Sequence, residues 1–510
     1  MQALLAGYRS RIELASVYDV AVVSPLEAAP KLSARLHNRV WLKREDCQPV
    51  HSFKLRGAYN KIARLTPAQR AAGVITASAG NHAQGVALAA NKLGLAAVIV
   101  MPGTTPTIKV EAVRALGGRV VLDGDTYDES AAHARRLARD KGMTLVHPYD
   151  DPDVIAGQGT IGREIIEQAR DGLDAVFVPV GGGGLIAGIA AYLKAVRPSV
   201  RVIGVEPDDA ACMTAALKAG RRVALPQVGL FADGVAVKQA GAEPFRVARH
   251  CVDAMVMVSV DEICAAIRDV FVENRSLLEP AGALAVAGLK RWVHDRGARG
   301  KQLAAICSGA NVNFDRLRHI AERAEIGDAH ETLLGVTIPE KPGSFKRFLG
   351  SLGRRVVTEF NYRYWSPREA HVFVGLKLGE HGERERPAII RQLRREGYPV
   401  VDMTANEMAK VHVRYMVGGR AAGLRDEMLL RFEFPERPGA ALEFLNALHG
   451  RWNISLFHYR NHGAAWGRVL CGLQVPKRER AECTRTLDAL GYDYSVETGN
   501  PAYDLFLGTR

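Results

Sequence analysis

One lysine in the first sixty residues has the surroundings of a nucleophilic amine. Lys54 lies between Phe53 and Leu55 in the segment QPVHSFKLRG (48–57). Apolar neighbours can withdraw water from an ammonium group, which lowers its pKa and leaves a neutral amine that attacks carbonyl carbons. Most lysines with such neighbours instead extend their charged end to solvent, so this segment alone indicates only a candidate catalytic residue.

A run of four glycines is a candidate anion site. It occupies residues 181–184 in DAVFVPVGGGGLIAGIAAYLKAV (174–196), between a buried strand and an apolar helix. Backbone without side chains can approach a ligand closely, and the N–H groups of a helix N-terminus attract phosphate. No GK[ST] follows, and no ribose-binding acid is well placed, which argues against a P-loop and a dinucleotide fingerprint. The segment predicts a phosphate site, with a tightly packed turn as the alternative.

Two further polar turns follow apolar strands. SAGNH (78–82) separates a strand at 74–77 from a helix at 83–93, and QLAAICSGANVN (302–313) is a strand that ends at Ser308 and Gly309. The N–H groups of a strand-to-helix turn suit an anion such as a carboxylate. Ligands of open α/β sheets bind beyond the carboxyl ends of the strands. We therefore expect Lys54, Asn81, the glycine run and Ser308 to form one site.

The elements around these turns alternate between strand and helix. Further strands are expected in VWLKRED (40–46), AAVIVMPGTTP (96–106), GRVVLDG (118–124) and RVIGVEP (201–207). Such alternation predicts a mostly parallel sheet with both faces covered. Residues 1–326 are expected to form a catalytic unit of two α/β halves. A helix is expected to begin near Ser52, with Ser52 as its N-cap and Lys54 in its first turn.

The remaining residues contain an internal repeat. LLGVTIPEKPGSFKRFL (333–349) recurs as LLRFEFPERPGAALEFL (429–445), and VTEFNYRY (357–364) recurs as ISLFHYRN (454–461). Each copy reads strand, turn, helix, strand, strand, helix, strand, the ferredoxin-like βαββαβ pattern. Neither copy contains a clear nucleophile or acid–base cluster. We expect two binding subdomains, residues 327–415 and 416–510.

Composition excludes several classes of protein. The chain has 510 residues, a formal net charge of +13 and a pI near 9.4, but its short basic clusters contain glutamates, which argues against a nucleic-acid surface. Seven cysteines without CxxC spacing indicate free thiols in a reducing compartment rather than disulfides or a zinc site. The N-terminal segment lacks the apolar core of a signal peptide, and no run is long enough to span a membrane. A cytoplasmic protein is expected.

Five segments together resemble the fold-type II pyridoxal-phosphate enzymes. They are SFKLRGA, TASAGNHAQG, VPVGGGGLIAG, LEPAGA and CSGAN. GLFADGVAVKQAG (229–241) and the paired PExPG repeats narrow the resemblance to the biosynthetic threonine deaminases, over nearly the whole chain. The resemblance implies a fold-type II catalytic unit with two ACT-like regulatory subdomains and pyridoxal 5'-phosphate as cofactor. It implies conversion of L-threonine to 2-oxobutanoate and ammonia, the committed step of isoleucine biosynthesis. It also implies a homotetramer inhibited by isoleucine, with valine as a second effector and L-serine as a second substrate to be tested.

The resemblance also assigns roles to individual residues. Lys54 corresponds to the lysine that forms the Schiff base with the cofactor and then takes the α-proton, and Phe53 lies beside it. Asn81 corresponds to the residue that hydrogen-bonds the cofactor's ring oxygen, and Ser308 to the hydroxyl facing its pyridine nitrogen. The phosphate loop would be Gly181, Gly182, Gly183, Gly184 and Leu185. The substrate carboxylate would be held by Ser78, Gly80 and His82, and the effector by Tyr362 and Tyr459.

Several alternatives remain open at this point. A serine racemase or serine dehydratase has the same fold, but the racemase's second acid–base group would be a serine where this chain has Ala79. An inactive amino-acid sensor that uses only the C-terminal repeats is a second alternative. His82, Tyr362 and Tyr459 are equally consistent with packing roles. Glu206, Asp208 and Asp209 could mark a cation site but are more often ordinary loop residues; no metal is expected.

Overall fold

The computed structural model divides the chain into two compact units, Met1–Ala324 and Glu325–Arg510. The structure describes residues 1–169, 172–353, 355–379, 382–416, 418–421, 423–435, 440–448, 450–460, 466–501, 503 and 507. Part of the second PExPG turn, residues 436–439, therefore lies outside the described residues.

The strands of the first unit are β1 (Leu26–Ala28), β2 (Arg39–Arg44), β3 (Val74–Ala77), β4 (Ala97–Met101), β5 (Arg119–Leu122), β6 (Thr144–Leu145), β7 (Ala175–Pro179), β8 (Arg201–Pro207), β9 (Ala254–Val258) and β10 (Gln302–Cys307). Its helices are α1 (Gln2–Glu13), α2 (Pro30–Leu36), α3 (Lys54–Ala63), α4 (Pro67–Ala72), α5 (Asn81–Lys92), α6 (Thr107–Ala115), α7 (Tyr127–Lys141), α8 (Pro152–Gln168), α9 (Gly184–Val196), α10 (Cys212–Ala219), α11 (Ala242–Cys251), α12 (Val260–Asn274) and α13 (Pro280–Arg296). Helix α14 (Leu317–Gly327) follows them.

These strands form two sheets, as expected for two α/β halves. One has the order β1-β2-β10-β7-β8-β9 and the other β5-β4-β3-β6. All described pairings are parallel except that of β1 with β2. The central strands β3 and β7 are buried along their whole length, which explains their continuous apolar sequences. The predicted mostly parallel α/β unit is confirmed.

The beginning of α3 differs from the prediction. The helix starts at Lys54 with Phe53 at its N-cap position, so the assignment of Ser52 as the cap is wrong. Ser52 instead forms a β-bridge with Gly309, and the N–H of Phe53 donates to the carbonyl of Ser308 at 3.2 Å. A contact with a residue more than 250 positions away therefore sets the start of this helix.

The second unit contains the repeated pattern. Its strands are β11 (Glu331–Pro339), β12 (Val357–Arg363), β13 (Glu369–Lys377), β14 (Val400–Asp402), β15 (Glu427–Pro435), β16 (Asn453–Arg460), β17 (Trp466–Gln474) and β18 (Tyr494–Val496). Its helices are α15 (Ser344–Leu352), α16 (Gly382–Arg395), α17 (Glu407–Val411), α18 (Ala440–Ala447) and α19 (Arg480–Leu490). Apart from the short α17, the order is βαββαβ twice, which confirms the two ferredoxin-like subdomains.

The two repeats share one antiparallel sheet with the order β14-β11-β13-β12-β16-β17-β15-β18. The repeats meet where β12 pairs with β16 over Glu359–Arg363 and Leu456–Arg460. A single apolar core, which includes Phe348, Phe360, Phe444 and Phe457, extends across both repeats on one face. The repeats therefore form a single packed body.

Candidate functional site

Lys54 begins α3 and points its amine at a backbone turn. The Nζ atom donates to the carbonyl of Pro148 at 3.2 Å and lies 5.1 Å from the centre of the Phe53 ring. The residue as a whole is only partly buried, but its amine is withdrawn from water, which lowers the pKa of Lys54 to about 8. The negative charge of Glu279 opposes this effect in part. The lowered pKa agrees with the predicted withdrawal of water from Lys54, and its role as nucleophile stays a prediction.

The glycine run packs tightly on one side and leaves backbone donors on α9. Gly183 has a φ of 96°, a conformation that favours glycine. An added Cβ at Gly182 would collide with the ring of Tyr149, and one at Gly184 would lie 2.9 Å from the Cα of Tyr149. Helix α9 has no side-chain cap, so its first N–H groups can bind an anion. The tight turn is thus observed, and the phosphate loop stays a prediction with which the uncapped start of α9 is consistent.

Asn81 begins α5 directly after the turn that follows β3. Its N-cap is Gly80, again without a side-chain cap, and an added Cβ at Gly80 would meet nothing within 4 Å. The Asn81 amide nitrogen donates to a carboxylate oxygen of Glu279 at 2.6 Å. Its amide oxygen accepts from Asn311 at 2.8 Å. The Gly80 N–H donates to the hydroxyl of Ser78 at 3.3 Å, which holds the turn in a compact shape.

Ser308 joins the end of β10 to the start of α3. Its hydroxyl donates to the carbonyl of Ala281 at 3.2 Å, and the residue is buried. Its carbonyl accepts from Phe53, next to Lys54. Pro148 and Tyr149 then connect Lys54 to the glycine run, since Pro148 accepts from the lysine and Tyr149 packs on the glycines. The predicted site residues at the carboxyl ends of β3, β7 and β10 are thus linked by direct contacts.

His82 is buried in the first turn of α5. Its Nε2 lies 2.9 Å from the carbonyl of Val146 and must carry the proton there, because a carbonyl only accepts. Burial lowers the pKa of His82 to about 3, so the ring is neutral. Its Nδ1 and the hydroxyl of Ser52 are buried and have no hydrogen-bond partner among the described residues. Its predicted contact with the substrate stays a prediction.

The geometry fits pyridoxal phosphate. A lysine amine of lowered pKa, two uncapped helix N-termini, the Asn81 amide and a neutral serine hydroxyl are present, and two buried polar atoms lack partners among the described residues. In donor and acceptor character, Lys54 suits the cofactor's aldehyde, the start of α9 its phosphate, Asn81 its ring oxygen and Ser308 its pyridine nitrogen. Lys54, Asn81, the glycine run with Leu185, and Ser308 would hold the cofactor.

A narrow apolar pocket lies between the two repeats of the second unit. It is lined mainly by Phe345 and Leu349 of α15, Phe360 of β12, Leu445 of α18, and Phe457 and Tyr459 of β16. Its internal volume is about 10 Å³, close to one water-sized sphere. Tyr362 does not line it but stacks against Phe345 with ring centres 4.8 Å apart, and its hydroxyl donates to Glu340 at 2.5 Å.

Comparisons with known proteins agree with this geometry. Residues 18–309 match the family model described as pyridoxal-phosphate dependent enzyme. Residues 322–413 and 418–507 both match the C-terminal regulatory domain of threonine dehydratase. The biosynthetic L-threonine dehydratase IlvA of Burkholderia multivorans is 55% identical over 503 residues, 98% of this chain and 99% of that protein. The chain belongs to the biosynthetic threonine dehydratase family.

Solved structures place the catalytic unit in the same fold. The processed form of threonine deaminase isoform 2 from Solanum lycopersicum matches with a TM-score of 0.62 and 52% identity, over 63% of this chain and 88% of that one. Maize serine racemase matches with a TM-score of 0.57 and 31% identity, over 62% of this chain and 95% of that one. The racemase shares the fold, whereas the dehydratase relatives also share the repeats.

Glu206, a candidate ligand for a cation in the sequence, has a different role in the structure. Its carboxylate accepts from the N–H groups of Met213 and Thr214 at 2.7 and 2.9 Å and from the Thr214 hydroxyl at 2.6 Å. It therefore caps α10 from outside the helix. Within the part of the chain that the structure describes, no group of three or more His, Cys, Asp or Glu residues could hold a metal ion. No helix of the described residues is long and apolar enough to cross a membrane.

Sequence reasoning missed three functional contacts of the site. Glu279, in the quoted segment LEPAGA, received no role although it bonds Asn81. Asn311 and Pro148 were likewise unassigned. The available signal for Glu279 was its position at the N-cap of α13, a helix with a mainly apolar first part. The hydrogen bond between Asn81 and Glu279 joins residues 198 positions apart, so no local sequence pattern indicates it.

Proposed function

We propose that this protein dehydrates and deaminates L-threonine to 2-oxobutanoate and ammonia, the committed step of isoleucine biosynthesis, and that isoleucine inhibits it through the C-terminal repeats. The observation that carries the catalytic part is the enclosed amine of Lys54, whose pKa is about 8 and which donates to Pro148, next to the Tyr149 that packs on the uncapped start of α9. When bound, pyridoxal phosphate supplies an electron sink for the pair released at the substrate α-carbon.

Lys54 is the base of this reaction. Its amine can take the α-proton at Nζ once deprotonated, and burial lowers its pKa to about 8, which raises the neutral fraction at physiological pH above that of an ordinary lysine. The carbonyl of Pro148 accepts from Nζ and fixes the direction of the side chain. Phe53 covers one side of the amine and excludes water from it. The chain thus supplies a positioned base next to the cofactor's phosphate loop.

Ser308 sets which reaction follows. A neutral hydroxyl, unlike a carboxylate, does not hold a proton on a pyridine nitrogen, so the ring withdraws electrons less strongly. Rapid loss of the β-hydroxyl group is then favoured over a long-lived carbanion that could be reprotonated on either face. Ala79, which has no transferable proton, acts in the same direction. We infer elimination, with L-serine as a second substrate to be tested.

The turn at residues 78–82 is proposed to hold the substrate carboxylate. Its uncapped N–H groups at the start of α5 are donors, and the space beside Gly80 is open. His82 is neutral and so would contribute as a hydrogen-bonding group rather than as a positive charge. Ser78 shapes the turn through its bond to Gly80.

Isoleucine is proposed to bind at the pocket between the repeats, with valine as a competing effector. Aromatic and aliphatic walls suit a branched side chain, and Tyr459 is one of them. Tyr362 does not line this pocket but packs against Phe345, which does. Because the pocket is narrow, entry of the side chain requires α15 and α18 to separate. We also propose, on the family resemblance, a cytoplasmic homotetramer.

One experiment tests the catalytic proposal. The purified protein with pyridoxal phosphate is expected to absorb in the near-visible range and to form 2-oxobutanoate from L-threonine, and isoleucine is expected to slow this reaction. Lys54→Ala should lose both the absorption and at least about 10³-fold of the turnover. Lys92→Ala, which removes an exposed lysine of α5, is the matched control and should retain both. Threonine turnover by Lys54→Ala near the wild-type rate would refute the assignment.

A further inference from the structure

Glu279 is the one acidic side chain that contacts the predicted cofactor residues among those the structure describes. It occupies the N-cap position of α13 and is 5% exposed. Its N–H donates to the carbonyl of Gly309 at 3.2 Å, which keeps it beside the end of β10. An added Cβ at Gly309 would lie 2.7 Å from its Oε1, and one at Gly234 would lie 3.5 Å away. Gly309 therefore makes room for this carboxylate, and Gly234 would be in ordinary van der Waals contact with it.

Glu279, Asn81 and Asn311 form a chain of side-chain hydrogen bonds. Asn81 donates from Nδ2 to Glu279 at 2.6 Å, and Asn311 donates from Nδ2 to Asn81 Oδ1 at 2.8 Å. The backbone N–H of Asn311 also acts on Glu279 and favours its ionised form. Asn311 also donates to the carbonyl of Val50 at 2.8 Å, so its own amide cannot turn freely. The three residues come from α5, the N-terminus of α13 and the segment after β10.

This chain of hydrogen bonds determines which donor or acceptor of the Asn81 amide is left for a ligand. An asparagine amide offers two N–H donors and an oxygen acceptor. Asn311 occupies the oxygen and Glu279 occupies one N–H, so one N–H of Asn81 remains. That N–H suits an acceptor such as the ring oxygen of the cofactor. With the amide reversed, its oxygen would meet an acceptor and the interaction would be repulsive.

We propose that Glu279 is a positioning residue that fixes the orientation of the Asn81 amide toward the ring oxygen of pyridoxal phosphate. The inference rests on the proposed function, because it needs that cofactor. The carboxylate acts through Asn81 and does not itself touch the reacting atoms. Glutamate rather than glutamine is needed because an ionised carboxylate only accepts, whereas a glutamine amide could donate to Asn81 and permit the reversed arrangement.

The charges around Glu279 agree with a role that depends on its ionisation. Burial raises its pKa to about 7, and the negative charge of Asp233 contributes further. The bonds from Asn81 and Asn311 and the positive charge of Lys109 oppose this rise. Lys109 itself donates to Asp233 at 3.0 Å, and Lys54 interacts with Glu279 by charge. The ionised carboxylate of Glu279, which the bond from Asn81 requires, is thus favoured above neutral pH.

The test compares Glu279→Gln in two backgrounds, wild type and Asn81→Ala. Cofactor affinity is measured by equilibrium dialysis of the full-length protein, and the near-visible absorption of bound cofactor is recorded against pH. In the wild-type background the substitution should weaken cofactor binding about tenfold and shift the pH midpoint of the absorption. In the Asn81→Ala background it should change cofactor affinity by no more than about twofold, because Asn81 carries that effect. The part of the pH shift that comes from the charge of Glu279 on Lys54 should remain there.

A control variant and a replacement variant make the outcome decisive. Asp269→Asn removes another buried carboxylate, which is bonded to Lys290 at 2.5 Å, and should leave the absorption unchanged. Equal effects of Glu279→Gln on cofactor affinity in both backgrounds, or no effect in the wild type, would overturn the proposal. If Glu279→Gln does not fold, Asn311→Ala, which releases the other side of the Asn81 amide, is read in the same two backgrounds with the same criteria. Absence of near-visible absorption in the wild type would instead refute the proposed function.

Discussion

The two units differ in what they offer a ligand. In the catalytic unit, α3, α5 and α9 all begin without a side-chain cap near the carboxyl ends of parallel strands. In the regulatory unit, the buried carboxylate of Glu427 is bonded by its neighbours: it accepts from Arg363 and Ser455 at 2.5 Å and from Tyr503 at 2.6 Å. Parallel strands followed by helices leave donors for a ligand at one edge. Among the described residues, the antiparallel repeats offer an apolar pocket, which suits recognition without chemistry.

The largest expected effect separates the two units. Removal of residues 327–510 should leave threonine turnover in place and abolish inhibition by isoleucine, because the proposed effector pocket lies wholly within the removed repeats. Turnover is followed as 2-oxoacid with and without isoleucine, and circular dichroism checks that the truncated protein is folded. An active truncated protein that isoleucine still inhibits would place the effector site in the catalytic unit.

The next effect concerns the stability of the helix that begins at Lys54. Arg56, two residues after Lys54, bonds Glu45 at 2.8 Å and Glu164 at 2.6 Å and is fully buried. Arg56→Ala leaves buried carboxylates uncompensated and should lower the free energy of unfolding by about 3–5 kcal/mol. Arg9→Ala, which removes an exposed and solvent-screened pair with Glu13, should lower the free energy of unfolding far less. Urea unfolding measures both, and similar losses for the two variants would contradict the prediction.

A pH effect of about tenfold is expected only in the catalytic unit. Capture of pyridoxal phosphate by the cofactor-free protein needs the neutral amine of Lys54, whose pKa is lowered to about 8. The neutral fraction rises as pH increases through that pKa, so capture should accelerate roughly tenfold from pH 7 to 9 and level off. A lysine with its ordinary pKa would give about a 100-fold rise without levelling. Stopped-flow absorption distinguishes the two curves.

A smaller effect tests the apolar character of the regulatory pocket. Tyr459→Ala removes part of its wall and should weaken inhibition by isoleucine about fivefold, which corresponds to roughly 1 kcal/mol. Tyr362→Phe removes only the hydroxyl bonded to Glu340 and should lower stability by about 1 kcal/mol with inhibition little changed. Inhibition curves for both variants decide this. Unchanged inhibition in Tyr459→Ala would move the effector elsewhere.

The smallest effect concerns the face opposite Lys54. Ala79 cannot transfer a proton, so the wild type should convert L-serine without forming D-serine. Ala79→Ser should form a trace of D-serine, limited by the geometry of the turn. Chiral chromatography of the residual serine after long incubation is the measurement. Appreciable D-serine from the wild type would show that Ala79 does not determine the reaction.

Elements with long apolar runs were predictable, and those set by distant contacts were not. The strand at 74–77 agrees with β3, and α5 begins two residues before the predicted helix because Asn81 and His82 join its first turn. β1 and β6 have three and two residues, too few to show a period, and β9 is a partly buried edge strand. None of the three was predicted.

The residues of the candidate site likewise divide into those that local patterns indicate and those that distant contacts determine. Lys54, Asn81, Ser308 and the glycine run follow strand ends, which local patterns mark. Their partners Glu279, Asn311 and Pro148 were missed because each contact joins remote segments. Ser52 has the residue type of a helix cap, yet its bridge to Gly309 overrides that local preference.

The pairing of β12 with β16 also bears on aggregation. In a separate repeat, each of these long strands would lie at the edge of its sheet and present unpaired N–H and C=O groups, a template for association with other chains. In the joined sheet both are central, and the strands at its two ends are the three-residue β14 and β18. The joined sheet therefore pairs two edge strands with each other that could otherwise associate with other chains. Proteins cut between the repeats are expected to precipitate or to pair through β12 or β16.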